Sequence, residues 1–149
     1  MRTPGWTITI SMCLLTVLVR DGEAQYGGPD STRSTLAGVY TAEQAARGQE
    51  IYVVACRQCH PPATHSGPAF TGAWAGRRLW DLFEYVQESM PKSDPGSLSP
   101  GDYARVLAYL LSLNGMPVGK DELPTDANGL KRIRIDTTHS RGAKPWRDG

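Results

Sequence analysis

An all-α fold of about three main helices joined by long loops follows from three features of the sequence. Apolar residues recur at three- and four-residue spacing in three separate stretches, each with its own start or stop signals. Strand-like runs are few, and only two of the 149 residues are Phe. Eleven prolines and 16 glycines punctuate what lies between, which predicts long connections. The length suits one domain. With 40% hydrophobic residues, 21% charged residues and a net charge of +1, the composition excludes a disordered polyelectrolyte and gives no general case for nucleic-acid binding.

Residues 1–24 read as a secretory signal. Arg2 supplies a basic start, Ile8 to Val19 is an apolar run of 12 residues, and Gly22 and Ala24 are the small residues of a cleavage site after Ala24. A retained anchor is the alternative, but the run falls short of the roughly 20 residues a spanning helix needs. The mature chain is therefore expected in the periplasm, without an integral membrane span. Cys13 lies in the apolar run, with Met12 before it where a lipoprotein signal would place Gly or Ala, and is expected to leave with the signal. Residues 25–38, rich in Gly, Ser, Thr and Asp, read as a flexible leader.

The first helix is expected to begin at Thr41. Thr41-Ala-Glu-Gln44 has capping-box form, with Gln44 able to reach back to the Thr41 amide. Ala45, Gly48, Ile51, Tyr52 and Ala55 make one face, and the helix should end near Cys59. Pro61-Pro62 then forbids helix, and a loop is expected to about Gly76. The second helix fits Arg78 to Met90, with a stripe of Leu79, Leu82, Phe83, Val86 and Met90, and stops at Pro91. The third has Ser99 as N-cap, Pro100 in its first position and Asp102 in its first turn. Its buried face is Tyr103, Val106, Leu107, Leu110 and Leu111, and Asn114-Gly115 closes it. The main domain is thus expected over residues 39–118, with 119–149 an irregular basic extension. Three helices and long loops give a small core, near the limit of independent stability, so something should add buried surface.

Cys56-Arg57-Gln58-Cys59-His60 has the C-x-x-C-H spacing of c-type haem attachment. Two thiols near a helix end can add to the two vinyl groups of one porphyrin, which places the adjacent His60 as the proximal iron ligand. A thioredoxin-type pair would sit at the head of a helix after a strand. A zinc site needs about four ligands, and the others are hard to find. A structural disulfide is the remaining alternative, and export favours haem. Four residues compete for the sixth iron position. His65 belongs to the same loop as His60. Met90 ends the second helix beside a proline-rich loop. Met116 follows the last helix, and His139 lies in the tail.

The chain resembles a class I c-type cytochrome over roughly residues 36–136. More narrowly, it is similar to the small cytochromes associated with periplasmic quinoprotein (PQQ) dehydrogenases. Gly48-x-x-x-Tyr52-x-x-x-Cys56 resembles the family's first helix, Ser66-Gly67-Pro68-Ala69-Phe70 its G-P loop, and Met90-Pro91 with Asp94 to Ser99 its methionine loop. Tyr103 to Leu113 resembles its final helix, and Asn114-Gly115-Met116-Pro117 with Glu122-Leu123-Pro124 extend the match. The resemblance implies the cytochrome c fold, one covalent haem c on Cys56 and Cys59, and iron ligation by His60 and Met90. It also implies that the Pro68 carbonyl accepts the His60 Nδ1 proton, and that Gly48 lets the first and last helices cross with Tyr109 packed over it. Trp74, Arg77 and Trp80 are candidates to pair with or shield the haem propionates. Met116 reads better as a core residue.

Charge is uneven. Residues 25–130 hold 8 Lys/Arg against 11 Asp/Glu, whereas residues 131–149 hold six against two. The tail is either a docking element for an acidic partner or a solvated extension. The alternation in residues 131–135 suggests a short extended segment packed on the body. The expected function is a periplasmic electron carrier that is not itself an enzyme. It would accept electrons from a dehydrogenase and pass them to a terminal oxidase or another cytochrome. The alternative is a haem enzyme or gas sensor with an open sixth position.

Overall fold

The computed structural model describes residues 32–137. The expected signal segment, Cys13, the cleavage site after Ala24 and His139 lie outside the described residues. Five α-helices follow in order: α1 Ala42–Ala55, α2 Gly67–Trp74, α3 Leu79–Ser89, α4 Pro100–Leu113 and α5 Ala127–Lys131. Two short strands, β1 Arg33–Ser34 and β2 Ile133–Arg134, pair in parallel. None of the described helices is long and apolar enough to cross a membrane.

The three long helices stand where their signals place them. Thr41 caps α1 by accepting the Gln44 amide at 3.0 Å. Ser99 caps α4 by accepting the Asp102 amide at 3.1 Å, with Pro100 next in line. Arg78 and Met90 flank α3. Helices α1 and α4 form the most extensive pairing in the molecule. Their backbones touch at Gly48, where a Cβ would lie 1.8 Å from the Arg105 carbonyl oxygen. Tyr109 packs on Tyr52 instead, with ring centroids 5.2 Å apart. The core between α1, α3 and α4 includes Tyr52, Leu79, Phe83, Tyr103, Leu107 and Leu111, all nearly or fully buried.

Three expectations are corrected. The loop expected from Pro61 to Gly76 contains a 3-10 turn at Pro62–His65 and the helix α2. Proline at a first helical position loses only an amide that has no partner there, so Pro62 and Pro68 begin helical turns rather than forbid them. The Gln44 side chain does not reach back to Thr41. It is 2% exposed and exchanges two hydrogen bonds with the Leu123 backbone, at 2.9 and 3.3 Å.

Nor does packing begin at residue 39 or end at 118. The buried Thr35 hydroxyl donates to the Asp136 carbonyl at 2.8 Å and accepts its amide at 2.9 Å. Tyr40 donates to the Met116 carbonyl at 2.5 Å, and the Gly119 amide to the Tyr40 carbonyl at 2.6 Å. Gly119 approaches Gly38 so closely that a Cβ would sit 2.0 Å from its carbonyl oxygen. Leu123, Leu130, Ile133 and Ile135 are all buried. The part of the leader that is described and residues 119–137 are therefore parts of one core. The extended segment suggested by the alternation at 131–135 is β2 and its flank.

Candidate functional site

The C-x-x-C-H segment is a compact turn at the tail of α1. The Cys56 and Arg57 amides both donate to the Tyr52 carbonyl, at 2.9 and 2.8 Å. The Cys59 and His60 amides both donate to the Cys56 carbonyl, at 3.1 and 2.9 Å. The helix thus ends at Ala55, earlier than expected, and the motif winds back on the orphan carbonyls of its last turn. The two cysteines are not joined to each other, and Cys56 is half-buried and Cys59 exposed. Burial pushes the Cys56 thiol above its ordinary range, so the unreacted group is neutral.

A cavity of about 470 Å³ opens beside this turn. Cys56, Cys59, His60 and His65 line one part, and Met90, Pro91, Lys92 and Ser93 from the end of α3 line another. Phe70, Trp74, Leu82, Val86, Val106 and Leu110 supply apolar walls. The size lies within the range of about 300–1,000 Å³ typical of cofactor sites. Two thiols, an imidazole and a thioether converging on an apolar hollow fit a covalently held porphyrin with iron. Among the described residues, no group of three or more His, Cys, Asp or Glu is arranged to hold a bare metal ion.

Two tyrosines fix the main chain at His60 and at Met90. The Tyr52 hydroxyl donates to the His60 carbonyl at 2.6 Å. Burial first, then the neighbouring Cys56 and Tyr109, push its pKa up to about 12, so it stays protonated and donating at neutral pH. The Tyr103 hydroxyl donates to the Met90 carbonyl at 2.7 Å, while the Met90 amide donates to Val86 at 2.9 Å. Asn114 ties the end of α4 to the loop after the motif. Its amide nitrogen donates to the His65 carbonyl at 2.9 Å, and its oxygen accepts the Gly67 amide at 3.0 Å. In the sequence Tyr52 and Tyr103 stand out as members of apolar faces and of stretches that resemble the family, and Asn114 as a helix stop within the extended match, but none of them as an anchor. Their hydrogen-bonding partners lie 8, 13 and up to 49 residues away, beyond any local pattern.

The other expected site residues divide. His65 lines the cavity with its ring centroid 4.9 Å from that of His60. Burial, then His60, lower its pKa. Met116 is 4% exposed, belongs to the core and does not line the cavity. Pro68 is not brought to His60. The chain winds into α2 at Gly67, which leaves Pro68 exposed and outside the cavity lining, with its carbonyl accepting the Thr71 hydroxyl at 3.3 Å. Of the aromatic and basic candidates, only Trp74 lines the cavity. Arg77 stacks over Trp74 at 4.9 Å, and Trp80 stacks on Phe83 with Lys131 over it at 5.4 Å.

Comparison with known families adds one match. Residues 43–110 fit the family model described as cytochrome c oxidase, cbb3-type, subunit III. No curated protein and no solved structure matched the chain. The matched stretch runs from the first turn of α1 into α4, and so encloses the C-x-x-C-H turn, Met90 and most of the cavity lining. Motif, cavity, helix order and family model agree: residues 43–110 form a class I c-type cytochrome domain, an all-α haem electron-transfer domain with haem c bound covalently through Cys56 and Cys59.

Proposed function

We propose that the chain is an exported, periplasmic single-haem electron carrier in which His60 and Met90 are the two axial ligands. Haem c supplies a one-electron couple at its iron. The residues of this chain hold it, exclude water and set its ligation. The observation that carries the reading is that His60 and Met90 line one cavity from two different elements, each with its main chain held by a buried tyrosine. Thioether ligation raises the reduction potential relative to bis-histidine ligation. With both axial positions filled, exchange is limited to outer-sphere electron transfer. The donor on this reading is a periplasmic dehydrogenase, and the acceptor a terminal oxidase or another cytochrome.

The test is spectroscopic. Oxidised protein should show the weak near-infrared band of iron–methionine ligation, and Met90→Ala should abolish it. A band that survives in Met90→Ala would assign the ligand elsewhere. Carbon monoxide separates the carrier from a haem enzyme or gas sensor, because a six-coordinate carrier takes up little of it. The family match favours one further reading, that the chain delivers electrons as a permanent subunit of an oxidase. Its size on purification from the native host distinguishes a travelling carrier from a subunit.

A further inference from the structure

Pairing of β1 with β2 gathers positive charge on one surface. Arg33 lies in β1, Arg77 and Arg78 lead into α3, and Lys131, Arg132 and Arg134 run from α5 through β2. The backbone holds these segments together. The Arg33 amide donates to the Arg132 carbonyl at 2.7 Å, and the Ile135 amide to the Arg77 carbonyl at 2.9 Å. Arg78 and Arg134 form an antiparallel bridge. All six side chains are exposed, because Ile133 and Ile135 take the inward positions of the alternating segment. Two carboxylates answer them, Asp81 beside Arg77 and Asp136 beside Arg134. The patch therefore carries +4, while the remaining described residues hold five Lys/Arg against nine Asp/Glu. The patch is thus a local excess of positive charge on a described body whose Lys/Arg and Asp/Glu balance.

The patch adjoins the haem cavity. The Arg77 guanidinium lies 4.9 Å from the centroid of Trp74, whose side chain lines the cavity. Five of the six cations are Arg, whose planar fork matches carboxylate oxygens.

We propose that this composite patch is the docking surface for a redox partner that presents a cluster of carboxylates. The proposal rests on the electron-carrier reading and names the partner class for it. An anionic lipid surface fits the charge and, through its phosphates, the arginine fork, but not the position beside a haem cavity. A carboxylate-bearing protein fits the charge, the arginine geometry and the position beside Trp74. The local positive charge also steers such a partner onto this face and raises the association rate at low salt.

The experiment uses full-length haem-loaded protein and immobilised poly-L-glutamate, with binding followed by surface plasmon resonance. Binding should appear at about 0.01 M salt and fade towards about 0.15 M, as screening shortens from roughly 30 to 8 Å. The triple variant Arg33→Gln/Arg132→Gln/Arg134→Gln should bind at least about tenfold more weakly. A control with the same charge change elsewhere, Arg47→Gln/Arg105→Gln/Lys120→Gln, should stay within about twofold of wild type. Equal losses in both triples, or a loss in neither, overturn the patch. Tighter binding to phosphatidylglycerol vesicles than to polyglutamate overturns the protein partner in favour of lipid. Reductive titration of the same samples separates the two claims. Protein that binds through the patch but accepts no electron refutes the carrier reading and leaves the surface standing.

Discussion

Gly48→Ala sets two physical effects against each other, and the structure decides the sign. In an isolated helix, Ala would stabilise relative to Gly by about 1 kcal/mol. Here the added methyl would sit 1.8 Å from the Arg105 carbonyl oxygen and 2.4 Å from its carbonyl carbon, both backbone atoms that no rotamer can move. The helices must separate by more than an ångström to accept it. A radial gap of about 0.5–1 Å already forfeits a quarter to a half of the dispersion attraction between facing atoms. The seam includes Tyr52, Ala104, Val106 and Ala108, all almost fully buried. At about 1.5–3 kcal/mol for a large buried side chain, partial loss over the seam amounts to roughly 3 kcal/mol. That is a large share of the 5–15 kcal/mol typical of a small domain. Guanidinium unfolding of the haem-loaded protein, followed by far-ultraviolet circular dichroism, measures it. With a slope of about 3 kcal/mol/M the midpoint should fall by about 1 M. A midpoint that stays or rises would show that helix propensity governs this position, and would refute the close crossing.

Three further outcomes follow from individual contacts. Hydrogen bonds from Ser99 first, then from Arg105, hold the Asp102 carboxyl below the usual range, so its contribution is present above the ordinary Asp pKa of about 3.9 and is lost as pH falls through the depressed folded value. Asp102→Asn should therefore be less stable by about 1 kcal/mol at pH 7, with the gap closing in melts taken below about pH 4. Tyr103→Phe removes the hydroxyl bonded to the Met90 carbonyl; it should cost about 1 kcal/mol and let carbon monoxide displace the sixth ligand more readily, read from the rate of uptake by reduced protein. Thr35→Val keeps the shape of the side chain but orphans the Asp136 amide and carbonyl, and thermal melts should show a loss of about 1–3 kcal/mol, whereas an unchanged melt would mean that the ends unfold separately from the core.

The sequence carried the site and the three long helices because their signals are local. Capping residues, a proline after Met90 and five consecutive residues of attachment motif all act within one or two turns. What it did not carry is long-range. Residues 32–38 look loose because their Ser, Thr and Gly residues show no helical or strand period, yet Thr35 is sealed by Asp136, 101 residues away. Gln44 satisfies a local capping pattern, but its burial makes the Leu123 backbone the better partner, since a buried amide needs both its donor and its acceptor matched. The resemblance gives the Pro68 carbonyl to His60, whereas in the structure it accepts the Thr71 hydroxyl and Pro68 lies outside the cavity lining. The helix of residues 67–74 is hard to see in the sequence because its two glycines, its one proline and its small residues resemble loop punctuation more than periodicity.

On the proposed ligation by His60 and Met90, the anchoring of their two turns shows why tyrosine serves here. An axial ligand must keep its imidazole or thioether free for iron, so whatever positions it should grip the main chain. Tyr52 and Tyr103 do this from helix faces. Their rings are buried in the core, and their hydroxyls reach the carbonyls of His60 and Met90 at 2.6 and 2.7 Å. The same ring that fills the core thus sets the position of a ligand-bearing turn. Stability and ligation are coupled through two side chains, one on each of the helices that cross at Gly48. Spreading that crossing should displace both carbonyl anchors together. The midpoint shift in Gly48→Ala should therefore be accompanied by a weaker iron–methionine band, whereas a core mutation that leaves the crossing intact should lower stability and spare the band.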